Sequence, residues 1–191
     1  MASIKGTETE KNLLKAFAGE SQARNRYVYA ASVARKAGLI QIADVFEETA
    51  RNEQEHAKVF FKFLEGGAVE ITAAYPAGVI GDTKANLAAA AAGEHEEWTE
   101  LYPAFAETAK KEGFPLVATA FEMIGRVEKE HEARYRKLGE RLCADGLWKR
   151  NKPVRWKCGN CGYVHEGPEA PDKCPACQHP RGYFAEKADN Y

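Results

Sequence analysis

Glu53-Gln54-Glu55-His56 and Glu128-Lys129-Glu130-His131 are two copies of one pattern, Glu-x-x-His, and the rest of the chain falls into place around them. On an α-helix, residues three apart stand about 60° apart around the axis and about 4.5 Å apart along it, so the Glu and His of each copy share a face. A lone Glu precedes each copy: Glu20 lies 33 residues before Glu53, and Glu94 lies 34 residues before Glu128. The chain therefore reads as an internal duplication, each half supplying Glu from one helix and Glu-x-x-His from the next. A single Glu-x-x-His usually marks a solvated helix face. A matched pair, each with an upstream Glu in an apolar seam, does not fit that reading.

The first seam shows the conflict. Leu13, Phe17, Glu20, Arg24, Tyr27 and Ala31 recur at steps of three and four, which places a carboxylate among core positions. Burying a carboxylate without a partner is costly, and a bound metal removes the cost. Four inward Glu and two inward His on four facing helices form the donor set of di-iron and di-manganese carboxylate bundles.

The helices follow from their punctuation. Thr7-x-x-Glu10 is a capping-box signature, and the helix it opens ends near Gly38. A second starts at about Leu39, carries Phe46, Ala50, Glu53, Ala57, Phe60 and Leu64 on one face, and stops at Gly66-Gly67. The segment from Gly66 to about Gly81 is too long for a tight helix–helix turn and is expected to cross the bundle end to end. Such a crossover makes the connection ferritin-like rather than up-down-up-down. Asp82 or Thr83 caps the third helix, whose seam is Leu87, Ala90, Glu94, Glu97, Leu101 and Phe105 before Gly113, with a kink expected at Pro103. Pro115 suits the first turn of the fourth, with Val117, Phe121, Ile124, Glu128, His131, Tyr135, Leu138 and Leu142 in its seam.

Two irregularities distinguish the second half from the first. Glu97 lies one turn after Glu94 on the same face, where the first half has Ala23, so a seventh ligand is on offer. Tyr27 falls seven residues after Glu20 but Tyr102 eight after Glu94, and the spacing on to Glu128 is also one residue longer. One residue inserted between Glu94 and Tyr102 accounts for both offsets and predicts a π-bulge there.

The 191 residues suffice for one core plus a small appendage. With 29% charged residues and a net charge of −1, no basic surface invites nucleic acid or anionic lipid. The polar N-terminus and the lack of a long uncharged apolar run predict a cytoplasmic protein that does not enter a membrane. The division expected is a bundle over 1–146, a linker over 147–152 and a small domain over 153–191. Those last 39 residues hold Cys158, Cys161, Cys174 and Cys177 as two C-x-x-C pairs twelve residues apart. This is a strong signal for four thiolates around one tetrahedral metal in a reducing compartment, and a piece so small needs such a staple. Spacing alone does not separate iron from zinc. Gly162 permits the left-handed turn that aims backbone N–H groups at sulfur. His95, Glu96, Glu55 and Glu130 fall off the ligand faces, Cys143 suits a helix-end hydrophobe, and His165 and His179 read as structural or surface residues.

With both sites in view the chain resembles rubrerythrin over nearly its whole length. The motifs are Glu20, Glu53-x-x-His56, Glu94-x-x-Glu97 and Glu128-x-x-His131, followed by the rubredoxin-like Cys158, Cys161, Cys174 and Cys177. One departure is Gln178, where a glycine is usual. The resemblance implies a ferritin-like bundle with a rubredoxin-like tail, non-haem iron at both sites, and reduction of hydrogen peroxide in an organism that avoids oxygen. It implies that Glu53 and Glu128 bridge the irons, that one iron exchanges His56 for Glu97 on changing oxidation state, and that Tyr27 and Tyr102 donate hydrogen bonds to the ligands. It also implies an external electron donor, rubredoxin or an NAD(P)H-linked reductase.

Geometry adds a partner. The fourth helix carries the chain about 22 Å from Glu128 to Cys143, and residues 144–153 reach back at most about 33 Å when fully extended. A head-to-tail homodimer, one tail beside the other chain's carboxylates, is the expected assembly. Three other readings fit parts of the pattern. A ferroxidase or iron store leaves the thiolate site unused, and a zinc-ribbon interaction module leaves the inward acids unexplained. A di-iron oxygenase needs a large apolar cavity that the Phe and Tyr seams oppose.

Overall fold

Local chemistry sets each helix end. The Thr7 side chain accepts the Glu10 N–H, and the Glu10 carboxylate returns to the Gly6 N–H at 2.8 Å, one residue short of the usual capping-box partner. This cap opens α1 (Glu8–Lys36) in the structure, a computed structural model that describes residues 3–189. Gly38, at φ +74°, turns the chain into α2 (Ile40–Lys62), which packs along α1. Residues 64–82 form the crossover without helix or strand, tied to α1 where the Tyr75 hydroxyl donates to the Lys15 carbonyl at 2.7 Å. Asp82 then caps α3 (Thr83–Glu96), accepting the Ala85 N–H at 2.8 Å.

A π-helical turn over Glu97–Leu101 joins α3 to α4 (Tyr102–Lys111), and it lies where the spacing offsets require an inserted residue. Its last wide bond runs from the Tyr102 N–H to the Glu97 carbonyl. Pro103 follows directly, so its missing N–H falls where the regular ladder is already displaced. The irregularity expected at Pro103 and the π turn thus coincide. Pro115 opens α5 (Pro115–Cys143).

The helices place a polar layer between two apolar ones. Leu13, Glu20 and Tyr27 are spaced by sevens on α1, as are Phe46, Glu53 and Phe60 on α2 and Phe121, Glu128 and Tyr135 on α5. Seven residues span two turns, about 10.5 Å. Tyr27, Phe46, Leu87 and Tyr135 form one buried cluster, and Leu13, Phe60, Tyr102 and Phe121 the other. The Phe46 and Tyr135 rings stand 5.0 Å apart, and those of Phe60 and Phe121 4.9 Å apart. The carboxylates are therefore held by aromatic floors above and below. This is the ferritin-like bundle expected from the crossover.

Leu147 is buried against the first cluster, and the chain then builds β1 (Lys149–Cys158), β2 (Val164–Glu169) and β3 (Phe184–Glu186), antiparallel in the order β2-β1-β3. Trp156 and Phe184 fill a small separate core, with the Trp156 indole N–H donating to the Gly167 carbonyl at 3.0 Å. The Gly182 backbone presses on the Gly38 carbonyl so closely that a Cβ at 182 would overlap it. The tail thus sits against the α1–α2 turn of its own chain. No helix among the described residues is long and apolar enough to cross a membrane.

The two cysteine knuckles repeat one backbone bond. The Gly162 N–H reaches the Cys158 carbonyl at 2.9 Å, and the Gln178 N–H reaches the Cys174 carbonyl at 2.8 Å. Both residues are left-handed, at φ +81° and +62°, which costs a non-glycine residue about 1–2 kcal/mol. Gln178→Gly should stabilise the tail by up to about 1 kcal/mol after the entropy of the freer unfolded chain is subtracted. Denaturant unfolding followed at the thiolate absorption measures this, and a less stable variant would refute it.

Candidate metal centres

Steps of seven along the helices aim six donor side chains at one level of the bundle. Glu20 of α1, Glu53 and His56 of α2 and Glu128 of α5 offer one group of donor atoms, all within 4.8 Å of one another. Glu53, Glu94 of α3, Glu128 and His131 offer a second, equally tight. Glu53 and Glu128 belong to both groups, so cations held by the two groups would share these carboxylates. The imidazoles close the ends, with the rings of His56 and His131 stacked at 5.9 Å.

Burial of these groups leaves polar atoms without partners. Glu20 Oε2, Glu53 Oε1, Glu94 Oε2, both Glu128 oxygens and His131 Nδ1 have no exposure and no hydrogen bond. His131 Nδ1 lies 2.7 Å from Glu128 Oε2 and 3.2 Å from Glu53 Oε1, yet bonds neither. Native cores rarely tolerate such orphans, and divalent cations at the two group centres would satisfy all of them. The donor set, oxygen with one imidazole per metal, suits iron or manganese.

Without metal, protons must do this work. Burial first, against the opposing pull of His131, and then the charges of Glu53 and Glu128 push the Glu94 carboxyl up to about 8. Burial and then neighbouring carboxylates hold Glu20 and Glu97 well above the ordinary carboxyl range. Burial works against charge on the imidazoles, but the Glu128 and Glu53 carboxylates close beside each ring carry His56 to about 9 and His131 to about 12.

Two buried phenols cross-connect the halves. Tyr27 on α1 donates to Glu94 Oε1 at 2.5 Å, and Tyr102 on α4 donates to Glu20 Oε1. The second bond exists because the π turn shifts Tyr102 by one position into register. Burial, then the adjacent carboxylates, raises both phenols well above their usual range, so they remain donors. Glu97 stands outside both groups, half-buried at the start of the π turn, while His56 is inside.

Sequence reading passed over the clamp that holds this turn. Glu132, 8% exposed on α5, accepts the Trp98 indole N–H at 2.5 Å and the Arg136 Nε–H at 2.5 Å, and His95 Nδ1 lies 3.1 Å away. Lys129 covers the Trp98 ring at 5.2 Å. Gly125 packs beneath the bulge, where a Cβ would meet Tyr102 at 3.7 Å and the Trp98 Cα at 3.9 Å, both ordinary contacts. Trp98 and Glu132 were legible only as a pair across two helices.

In the tail, Cys158, Cys161, Cys174 and Cys177 bring four sulfurs within 4.8 Å, with Sγ–Sγ distances of 3.8 Å for Cys158–Cys177 and 3.6 Å for Cys161–Cys174. These are non-bonded separations, fit for one tetrahedral ion. The His179 backbone N–H, chiefly, draws the Cys177 thiol down to about 6. His179 itself stacks edge-on with Tyr183 at 4.6 Å.

Two outcomes follow. Glu94 and the imidazoles bind protons in the folded metal-free chain that the unfolded chain releases from about pH 4.5 for the carboxyl and 6.5 for the rings. Stability of the metal-free protein should therefore fall as pH rises from about 4.5 through about 9 and on towards about 12, and metal loading should flatten the profile. Thermal unfolding across that range decides it, and a metal-free midpoint that climbs would contradict the assignment. Glu132→Ala removes charge-assisted bonds of about 1.5–3 kcal/mol, so amide exchange over residues 97–102 should quicken roughly ten- to hundredfold with α1 unchanged. Equal protection in wild type and variant would count against the clamp.

The sequence matches the family profile described as Rubrerythrin over residues 11–139 and the profile Rubrerythrin, rubredoxin-like domain, over residues 156–185. It is 59% identical to rubrerythrin of Porphyromonas gingivalis over 189 residues, which covers 99% of this chain and 94% of that one. It is 54% identical to rubrerythrin of Nitratidesulfovibrio vulgaris, covering 96% of each. Among solved structures it resembles partially reduced nigerythrin, with a TM-score of 0.61 and 30% identity over 96% of this chain and 91% of that one. A carboxylate–histidine site for an iron pair, a four-thiolate site for a single iron and this full-length likeness agree: the chain belongs to the rubrerythrin family of iron-based redox proteins.

Proposed function

We propose that this chain is a peroxidase that reduces hydrogen peroxide to water at the carboxylate–histidine site, with electrons relayed through the cysteine site. The carrying observation is the pairing on one chain of a two-metal cage with shared carboxylates and a thiolate site whose four positions are all protein. An iron pair supplies two electrons and Lewis acidity to the O–O bond, and a four-thiolate iron passes one electron at a time. The balance is one peroxide, two electrons and two protons giving two waters.

The side chains have distinct parts in this reading. Glu53 and Glu128, common to both donor groups, would be shared by the two metals, Glu20, His56, Glu94 and His131 would hold them individually, and Tyr27 and Tyr102 fix Glu94 and Glu20 by donating from Oη. Glu97 holds a proton at its carboxyl beside the site. With iron bound, Glu97 could replace His56 as a ligand when the pair gains charge, because an anionic carboxylate would offset what a neutral imidazole does not.

The bundle is assigned to residues 1–146, the linker to 147–152 and the thiolate domain to 153–191. The tail rests on the α1–α2 turn, and Glu53 is about 20 Å further along α2. That separation favours a head-to-tail homodimer in which each tail serves the other chain. Rubredoxin or an NAD(P)H-linked reductase would recharge it in the cytoplasm.

Anaerobic stopped flow tests the reading. The reduced, iron-loaded protein is mixed with one equivalent of peroxide and the thiolate absorption is followed. Rapid return of colour in proportion to peroxide is expected, and Glu97→Ala should slow it by about tenfold or more with iron retained. A reduced protein that stays colourless with peroxide unconsumed would defeat the proposal.

A further inference from the structure

The carboxylate cage is closed almost everywhere. Glu20, Glu53, Glu94, Glu128 and His131 are each at most 3% exposed, so none of them opens the cage to solvent. Among the candidate ligands of the carboxylate site, only His56 and Glu97 are partly exposed. Glu97 faces a cavity of about 360 Å³ whose inner wall is Glu97 and Tyr102, the latter bonded to Glu20, with the six cage donors just behind that wall.

This cavity has a structural origin. α1 packs along α2, and α3 along α5, while α1 and α3 meet only lightly. Each carries a glycine beside its lone Glu, Gly19 before Glu20 and Gly93 before Glu94, and both line the gap. Neither is required by backbone strain: a Cβ on Gly93 would come no closer than 3.9 Å to the Arg26 guanidinium, and one on Gly19 3.7 Å to the Tyr75 ring. The glycines therefore keep space open rather than make a turn. Tyr75, on the crossover, roofs the gap and is pinned by its hydroxyl to the Lys15 carbonyl at 2.7 Å. Arg26 and Glu97 give the walls a donor and an acceptor for a small polar molecule.

We propose that the α1–α3 cavity is the path by which hydrogen peroxide reaches the metal pair, and that Tyr75 is the residue that keeps out bulkier organic hydroperoxides. The choice of hydrogen peroxide as the occupant rests on the peroxidase reading, whereas the path itself does not. Its width is set by Gly19 and Gly93 on the helices and by Tyr75 on the strap. The pinned ring narrows the mouth, and its loss would widen it without touching a ligand.

Gly93→Leu fills the passage with a residue that favours helix more than glycine does. Gly19→Leu, from the opposite wall, serves if the first variant fails to fold. Each is loaded with iron, and retention of the wild-type iron spectrum is checked. Three rates are then read: association of nitric oxide, a small uncharged probe, with the reduced pair, and kcat/KM for hydrogen peroxide and for tert-butyl hydroperoxide. The expected result is a fall of about tenfold in nitric oxide association and in kcat/KM for hydrogen peroxide, with kcat at saturating peroxide unchanged. Tyr75→Ala should raise kcat/KM for tert-butyl hydroperoxide by about tenfold relative to that for hydrogen peroxide. Unchanged nitric oxide association in a folded Gly93→Leu or Gly19→Leu variant would overturn the path. Unchanged selectivity in Tyr75→Ala would overturn the role of Tyr75. If nitric oxide slows as expected while wild-type protein consumes no peroxide, the path stands and the peroxidase reading fails.

Discussion

Four carboxylates buried at one level of a helical bundle are the constraint on which the rest of this structure depends. Glu20, Glu53, Glu94 and Glu128 are each no more than 1% exposed, and several of their oxygens have no hydrogen bond. Uncompensated charges of one sign, so close and so dry, would force the helices apart. The aromatic layers on either side hold the helices in place, and cations or protons neutralise the layer between. The fold and the chemistry are therefore one problem: the packing that excludes water also makes the site demand metal.

Most of this was legible because the ligands obey helical arithmetic. Glu-x-x-His, the seven-residue spacing to apolar neighbours and the C-x-x-C pairs all express contacts within a turn or two of one helix or hairpin. The π turn was legible for a subtler reason: a duplicated chain carries its own reference, so a single added residue shows as a displaced Tyr102 and a displaced Glu128. The irregularity expected at Pro103 coincides with the π turn, because the ring's missing N–H falls where the bonds of that turn are displaced.

What the sequence concealed is what depends on contact between distant segments. Trp98 and Glu132 lie 34 residues apart on different elements, and neither sits in a seam that periodicity would flag. Arg26 looks like a solvated helix residue until Gly93 is brought beside it. Glu97 shares the Glu94 face by spacing alone, but the π turn leaves it outside the cage. The seating of Gly182 on Gly38 follows from surface shape, which no local pattern encodes.

The crossed bonds, Tyr27 to Glu94 and Tyr102 to Glu20, also speak to ancestry. Each half reaches for the other's carboxylate, so neither hairpin could complete a site alone, though two copies of one hairpin could complete it together. In such a pair every substitution would occur twice, and symmetry would forbid one iron from differing from its neighbour. Joining the copies into a single chain lifts that restriction. Glu97, the added residue and Trp98 occur in only one half, and they confer on two nearly equivalent metal positions the inequality that a directional reaction requires.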